Sequence, residues 1–174
     1  GLEVDKPENT VKKLQKLTGR PIGVNLEPVD EKAEMESTKL QISSGRTASV
    51  KSMKAAEKLG FNFVCFTGNP GTGVTNRMIA KAVKTAKKNF SGLIIAGKMH
   101  GAGVDEPVAS EESVKEFLDA GADVILVPAV GTVPGFTSEE LIKIVKIVHK
   151  HGGLVMSTIG TSQESSGAQT VHDI

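Results

Sequence analysis

Apolar residues fall into two kinds of segment that alternate along the chain. Five short runs, at 21–26, 61–67, 92–97, 123–128 and 153–158, are dense in Val, Ile, Leu or Phe without a clean polar alternation. That pattern predicts strands covered on both faces. The stretches between them have helical spacing. Segment 47–59 brings Val50, Met53, Ala56 and Leu59 to one side, and 76–89 does the same with Met78, Ile79, Ala82, Val83 and Ala86. Helices at 111–120 and 139–151 complete the alternation, and 8–17 forms an earlier one.

Local signals mark the ends of these elements. Thr75 and Ser110 sit where N-caps belong, and Thr137 followed by Glu140 reads as a capping box. Gly60, Gly121 and Gly152 fall just past a helix, where a left-handed residue is wanted. From Gly60 the glycines at 92, 121 and 152 recur in steps of 32, 29 and 31 residues. A unit of about 30 residues that alternates strand and helix predicts βαβ connections and a parallel sheet. The step from Gly19 to Gly60 is 41 residues. The polar segment 30–44 is therefore expected to be a mobile insertion in one repeat domain spanning 1–174.

Two architectures accept such units, an open doubly wound five-stranded sheet and a TIM-type (β/α)8 barrel. The placement of polar residues favours the barrel, in which every strand end faces the site. Asn25 and Glu27 follow the first run, Thr67 and Asn69 the second, and Lys98 and His100 the third. The fourth runs into 128–132 (Pro-Ala-Val-Gly-Thr), and the fifth ends at Ser157, Thr158, Thr161 and Ser162. A barrel needs about 250 residues, so five visible strands predict an incomplete barrel. On this reading 1–5 is the tail of a preceding strand, a further helix starts at 163–166, and the chain is an interior segment.

The stretches 121–128 (Gly-Ala-Asp-Val-Ile-Leu-Val-Pro) and 152–158 (Gly-Gly-Leu-Val-Met-Ser-Thr) resemble strand entries of phosphate-binding (β/α)8 barrels. From Arg20 to Thr161 the chain is also similar to a bacterial barrel family loosely labelled phosphoenolpyruvate phosphonomutase-like. That resemblance implies a barrel enzyme. In the wider superfamily, magnesium is held by clustered acidic residues at strand ends, and this chain has no paired aspartates there.

Composition narrows the partners. Apolar residues make up 39% and charged residues 24% of the 174, as in a globular protein, and the net charge is +1. Near-neutrality gives no electrostatic reason to expect nucleic acid or a membrane surface, and the absence of Trp and Tyr removes stacking platforms for single strands. No apolar run approaches the roughly 20 residues of a membrane span. The single cysteine, Cys65, excludes an internal disulfide and reads as a buried strand residue. A cytoplasmic protein is expected, and open sheet edges would favour a homo-oligomer.

Lys98 and His100 alternate to one side of their strand beside a glycine-rich turn. If that side is the barrel mouth, burial and a neighbouring cation would depress the lysine's pKa, as a Schiff-base nucleophile requires, while His100 shuttles protons. The alternative is that Lys98 pairs with Glu27 in the barrel core and His100 caps a loop. Glu27 is a candidate base, lysine partner or metal ligand, with Asn25 on its face. Loop 68–76 brings Gly71, Gly73 and Thr75 to a helix start, the physical recipe for holding a phosphate, with Asn69 and Asn76 able to orient substrate. Thr158, Thr161 and Ser162 form a second candidate cradle, and Glu164 a candidate acid. His100, Asp105, Glu106 and Glu27 together could hold a divalent cation such as Mg, although their spacing matches no compact motif. His149 and His151 read as surface residues at a helix end.

The leading expectation is a lyase, aldolase-like enzyme or isomerase acting on a small anionic, phosphorylated carbonyl compound. Lys98, His100 and Glu27 would be catalytic, and Asn25, Asn69, Gly71, Gly73, Thr75, Thr158, Thr161 and Ser162 would bind substrate. Two alternatives stand beside it, a non-catalytic metabolite-sensing or assembly module and a divalent-metal-dependent lyase.

Overall fold

A computed structural model describes residues 7–29, 42–68 and 71–159. The expected strand tail at 1–5, residues 30–41 of the expected insertion 30–44, Asn69, and everything from Gly160 on, including Thr161, Ser162 and Glu164, lie outside the described residues, while Ile42 of that insertion is buried. Helix α1 (Pro7–Thr18) is followed by β1 (Gly23–Leu26), α2 (Val50–Leu59), β2 (Phe63–Phe66), α3 (Asn76–Lys87) and β3 (Leu93–Gly97). Then come α4 (Glu111–Ala120), β4 (Val124–Pro128), α5 (Ser138–Lys150) and β5 (Leu154–Thr158). Each expected strand is present, shortened by one to three residues.

All five strands are parallel and pair in the order β1-β2-β3-β4-β5. An open doubly wound sheet needs a reversal of strand order to place helices on both faces. Sequential order with right-handed crossovers keeps the helices on one face, as in a barrel. The fold is an α/β parallel (β/α) barrel, incomplete at five strands.

Alternation along the strands divides the sheet into two faces. Val24, Leu26, Val64, Phe66, Ile94, Ala96, Ile125 and Val127 enter the main core with Met53 and Ala56 of α2, Ile79 and Val83 of α3, Val114 and Phe117 of α4, and Ile144 and Val148 of α5. The other face carries a smaller cluster of Ile95, Val124 and Leu126, flanked by Phe63, Cys65 and Met99. Towards β5 that inner face is open to solvent, with Leu154 62% exposed. Among the described residues no helix is long and apolar enough to cross a membrane.

The caps form largely as their chemistry directs. Ser110 and Thr75 accept from the backbone N–H groups of Ser113 and Met78, each such cap contributing about 1 kcal/mol. Two full capping boxes use serine at both positions, Ser49 with Ser52 and Ser110 with Ser113. At α5 only half of the expected box forms. Thr137 caps Glu140, but the Glu140 carboxylate pairs with Lys143 at 2.9 Å. Gly60 closes α2 in the left-handed conformation, φ 77°. Gly97 is needed for another reason, since a Cβ there would collide with the Leu126 carbonyl.

Candidate functional site

The loops after the strands interlock at the C-terminal end of the sheet. Gly73 N donates to the Ala102 carbonyl at 2.9 Å, which ties the β2–α3 loop to the β3–α4 loop. A Cβ at Gly68 would run into both Val74 and Ala102. Ala102 itself takes a left-handed φ of 56°, uncommon outside glycine. These contacts hold Glu106 over the start of α3, where its Oε2 accepts from Asn76 N at 2.8 Å.

Lys98 lies under the same loop. The residue is 1% exposed, and its Nζ stands 3.5 Å from Glu106 Oε2, whose side chain is 24% exposed. The ammonium makes no hydrogen bond, and neither does the buried Asn76 Oδ1. Burial holds Lys98 below the usual lysine range, while the Glu106 carboxylate opposes that shift. His100 is held below the ordinary imidazole range, first by burial and then by the Lys98 charge. Its Nδ1 accepts from Ala102 N at 3.0 Å, which assigns the ring as the neutral tautomer protonated on Nε2.

Lys98 and His100 are therefore brought together, with Glu106 as the lysine's carboxylate. Glu27 is elsewhere. It is 1% exposed at the end of β1, and its Oε1 accepts from Arg46 Nη2 at 3.0 Å. The expected pairing of Lys98 with Glu27 in the barrel core is thus replaced by two separate ion pairs. The physical reason is strand alternation and loop path. Glu27 shares the inner-face parity of Asn25, whereas Lys98 shares the parity of Ile94 and Ala96 and reaches a carboxylate at the start of α3.

The remaining candidates divide between these places. Asn25 is exposed on the inner face of β1. Thr158, at the end of β5, donates its hydroxyl to Met99 Sδ at 2.7 Å. Of the donors expected to cradle a phosphate, Gly73 N is engaged by Ala102 and Asn76 N by Glu106, and the Thr75 hydroxyl caps Met78 N at 3.2 Å. The anion at this helix start is the protein's own Glu106. Gly71 is exposed in the same loop.

The carboxylates proposed for a divalent cation do not converge. Glu27 is paired with Arg46, Glu106 with Lys98, and Asp105 is exposed. Among the described residues no three His, Cys, Asp or Glu side chains form a group able to hold a metal, so this donor set does not fit magnesium. Burial pushes the Cys65 thiol up to about 11, which keeps it a protonated, unreactive group at neutral pH. Arg46 was not legible as a site residue. It stands 19 positions from its partner, and nothing in its neighbourhood has the spacing of a motif.

A barrel-type sheet with its loosely satisfied polar groups at the C-terminal strand ends defines a protein of the (β/α)-barrel class. The chain belongs to the family described as domain of unknown function DUF7916, whose model matches residues 1–174. No curated protein sequence matches it. Among solved structures it is similar to methylornithine synthase, with a TM-score of 0.50 and 11% identity over 91% of this chain and 51% of that one. It is also similar to the Yersinia pestis dihydropteroate synthase (TM-score 0.44, 14% identity, 80% of this chain and 45% of that one). A third is phosphonopyruvate hydrolase, crystallised with oxalate and magnesium (TM-score 0.43, 13% identity, 93% of this chain and 75% of that one). The chain spans about half the length of methylornithine synthase, and at such identities the likeness is one of fold.

Proposed function

We propose that this chain carries the active site of a barrel enzyme acting on a small anionic carbonyl compound, with Lys98 as its reactive amine. The observation that supports this reading is the Lys98 ammonium itself. It is a cation 1% exposed, without a hydrogen bond, at the C-terminal end of a barrel strand. Its ion pair with Glu106, at 3.5 Å, offsets only part of the cost of burying the charge. Strand ends on this face of a barrel are where function, rather than stability, selects residues.

The chemistry follows from the surroundings. Burial raises the fraction of Lys98 present as free amine. That amine adds to a carbonyl carbon, and both amine hydrogens leave with the carbonyl oxygen as water, giving an imine. Once protonated, the imine withdraws electrons from the adjacent C–H or C–C bond, the common step of aldolase-like lyases and some isomerases. His100 Nε2–H is the nearby group that can give up a proton and take one back. Glu106 pairs with the lysine and is itself 24% exposed, so this reaction requires segment 101–106 to move aside for substrate.

Borohydride reduction in the presence of a panel of keto acids and sugar phosphates tests the reading. A stable adduct on the peptide containing Lys98, absent from Lys98→Met, is the expected result. No Lys98 adduct with any member would contradict it, and ligand binding without an adduct would favour a sensing module.

A further inference from the structure

A second cation on the same rim has the geometry of a recognition group. Arg46 is fastened to the end of β1 through its backbone and its side chain. Glu27 N donates to the Arg46 carbonyl at 2.7 Å, Ala48 N donates to the Glu27 carbonyl at 2.7 Å, and Glu27 pairs with Thr47 as an isolated parallel bridge. The Glu27 carboxylate, with its side chain 2% exposed, then holds one guanidinium nitrogen at 3.0 Å. The Arg46 side chain is 37% exposed, and its other guanidinium N–H groups have no partner among the described residues. A buried carboxylate that fixes a part-exposed arginine leaves a planar fork of donors facing outward, the geometry that suits a carboxylate or phosphate.

An independent observation lies one strand away. Thr67 follows Phe66, which pairs with Leu26, so Thr67 lies on the β2 side of Glu27 and segment 46–48 on its other side. By alternation its side chain shares the inner face with Cys65. Its hydroxyl is buried with no hydrogen-bond partner.

We infer that Arg46 and Thr67 form an oxyanion-recognition subsite at the mouth of β1 and β2, distinct from the Lys98–Glu106 pair, with Glu27 as the positioning residue for Arg46. The ligand class is a small carboxylate or phosphate, bound by the guanidinium fork and the threonine O–H. The inference rests on the proposed enzyme only for the molecule that brings the anion, which would be the charged end of the carbonyl substrate.

The test is calorimetric titration of the full chain with oxalate and with inorganic phosphate. Binding that falls roughly ten- to hundredfold in Arg46→Gln, falls less in Arg46→Lys, and is unchanged in Lys98→Met is expected. Should Arg46→Gln fail to fold, phenylglyoxal labelling of the unmodified chain decides, with oxalate or phosphate expected to slow modification of Arg46. No binding of either anion at millimolar concentration overturns the subsite. So does equal binding in folded Arg46→Gln, unprotected Arg46, or loss of binding only in Lys98→Met. Trapping at Lys98 and titration at Arg46 fail separately, so a negative adduct with Arg46-dependent binding removes the lysine chemistry and leaves the subsite.

Discussion

The two rims of the sheet treat polar side chains in opposite ways. At the N-terminal rim they are bonded to backbone that strand pairing leaves unsatisfied. Asn62 Oδ1 accepts from Ile22 N at 2.8 Å, Glu57 takes both the N–H and the hydroxyl of Ser91, and Asp123 Oδ2 accepts from Ile94 N at 2.8 Å. The Glu57 carboxyl is accordingly held below its ordinary range by the Ser91 hydrogen bonds. At the C-terminal rim the balance is reversed. The buried side-chain atoms without a hydrogen bond among the described residues, Thr67 Oγ1, Asn76 Oδ1 and the ion-paired Lys98 Nζ, all lie there. One rim is built to hold the strands in register, and the other leaves three buried side-chain atoms without hydrogen bonds among the described residues.

The largest effect expected from this contrast is chemical. Lys98→Met should reduce turnover by roughly a thousandfold or more without lowering the melting temperature, because it removes a buried cation with no hydrogen bond, while Glu106 stays part-exposed and bonded to Asn76 N. A large loss of stability would instead place Lys98 with the register-holding groups. Asp123→Ala, on the opposite rim, should do the converse. It leaves Ile94 N without its acceptor and should cost about 1–3 kcal/mol in denaturant unfolding, with oxalate binding unchanged.

A smaller effect separates the rims by pH. His100 titrates below its ordinary value of 6.5 in the folded chain. Between that value and its folded one, the unfolded chain binds more protons. Stability is therefore complete above the ordinary value and declines as pH falls towards the folded one. Urea unfolding between about pH 5 and 7.5 should show this loss, and His100→Gln should flatten it. The smallest effect is at Thr67. Thr67→Val replaces an unpartnered hydroxyl with a methyl group and should change stability by less than about 1 kcal/mol, while still weakening oxalate binding.

Much of the fold could be read from the chain because its signals are local. Glycines at helix ends, caps such as Ser110 and a recurring apolar run require only neighbouring residues. The polar strand ends that favour a barrel over an open sheet belong to the same class of evidence. The site was harder, for a physical reason. Lys98 and His100 are two residues apart, just past the end of β3 at Gly97, and their proximity needs no distant contact. The partner of Lys98 depends on how segment 101–106 folds back over α3, and that path is set by contacts between two loops. Glu106 was therefore legible as a carboxylate but assigned to a metal. Arg46 reaches Glu27 only because 46–48 runs alongside β1, a pairing that no periodicity encodes.

The claim that the C-terminal rim holds the chemistry is tested most directly by the state of the Lys98 amine. Competitive acetylation of all lysines across pH, read peptide by peptide, reports each one's titration. The account predicts that Lys98 titrates below the surface lysines, and that its labelling rate rises when Glu106→Gln removes the carboxylate that favours its protonated form. A Lys98 that titrates with the surface lysines, and whose reactivity does not respond to Glu106, would contradict it.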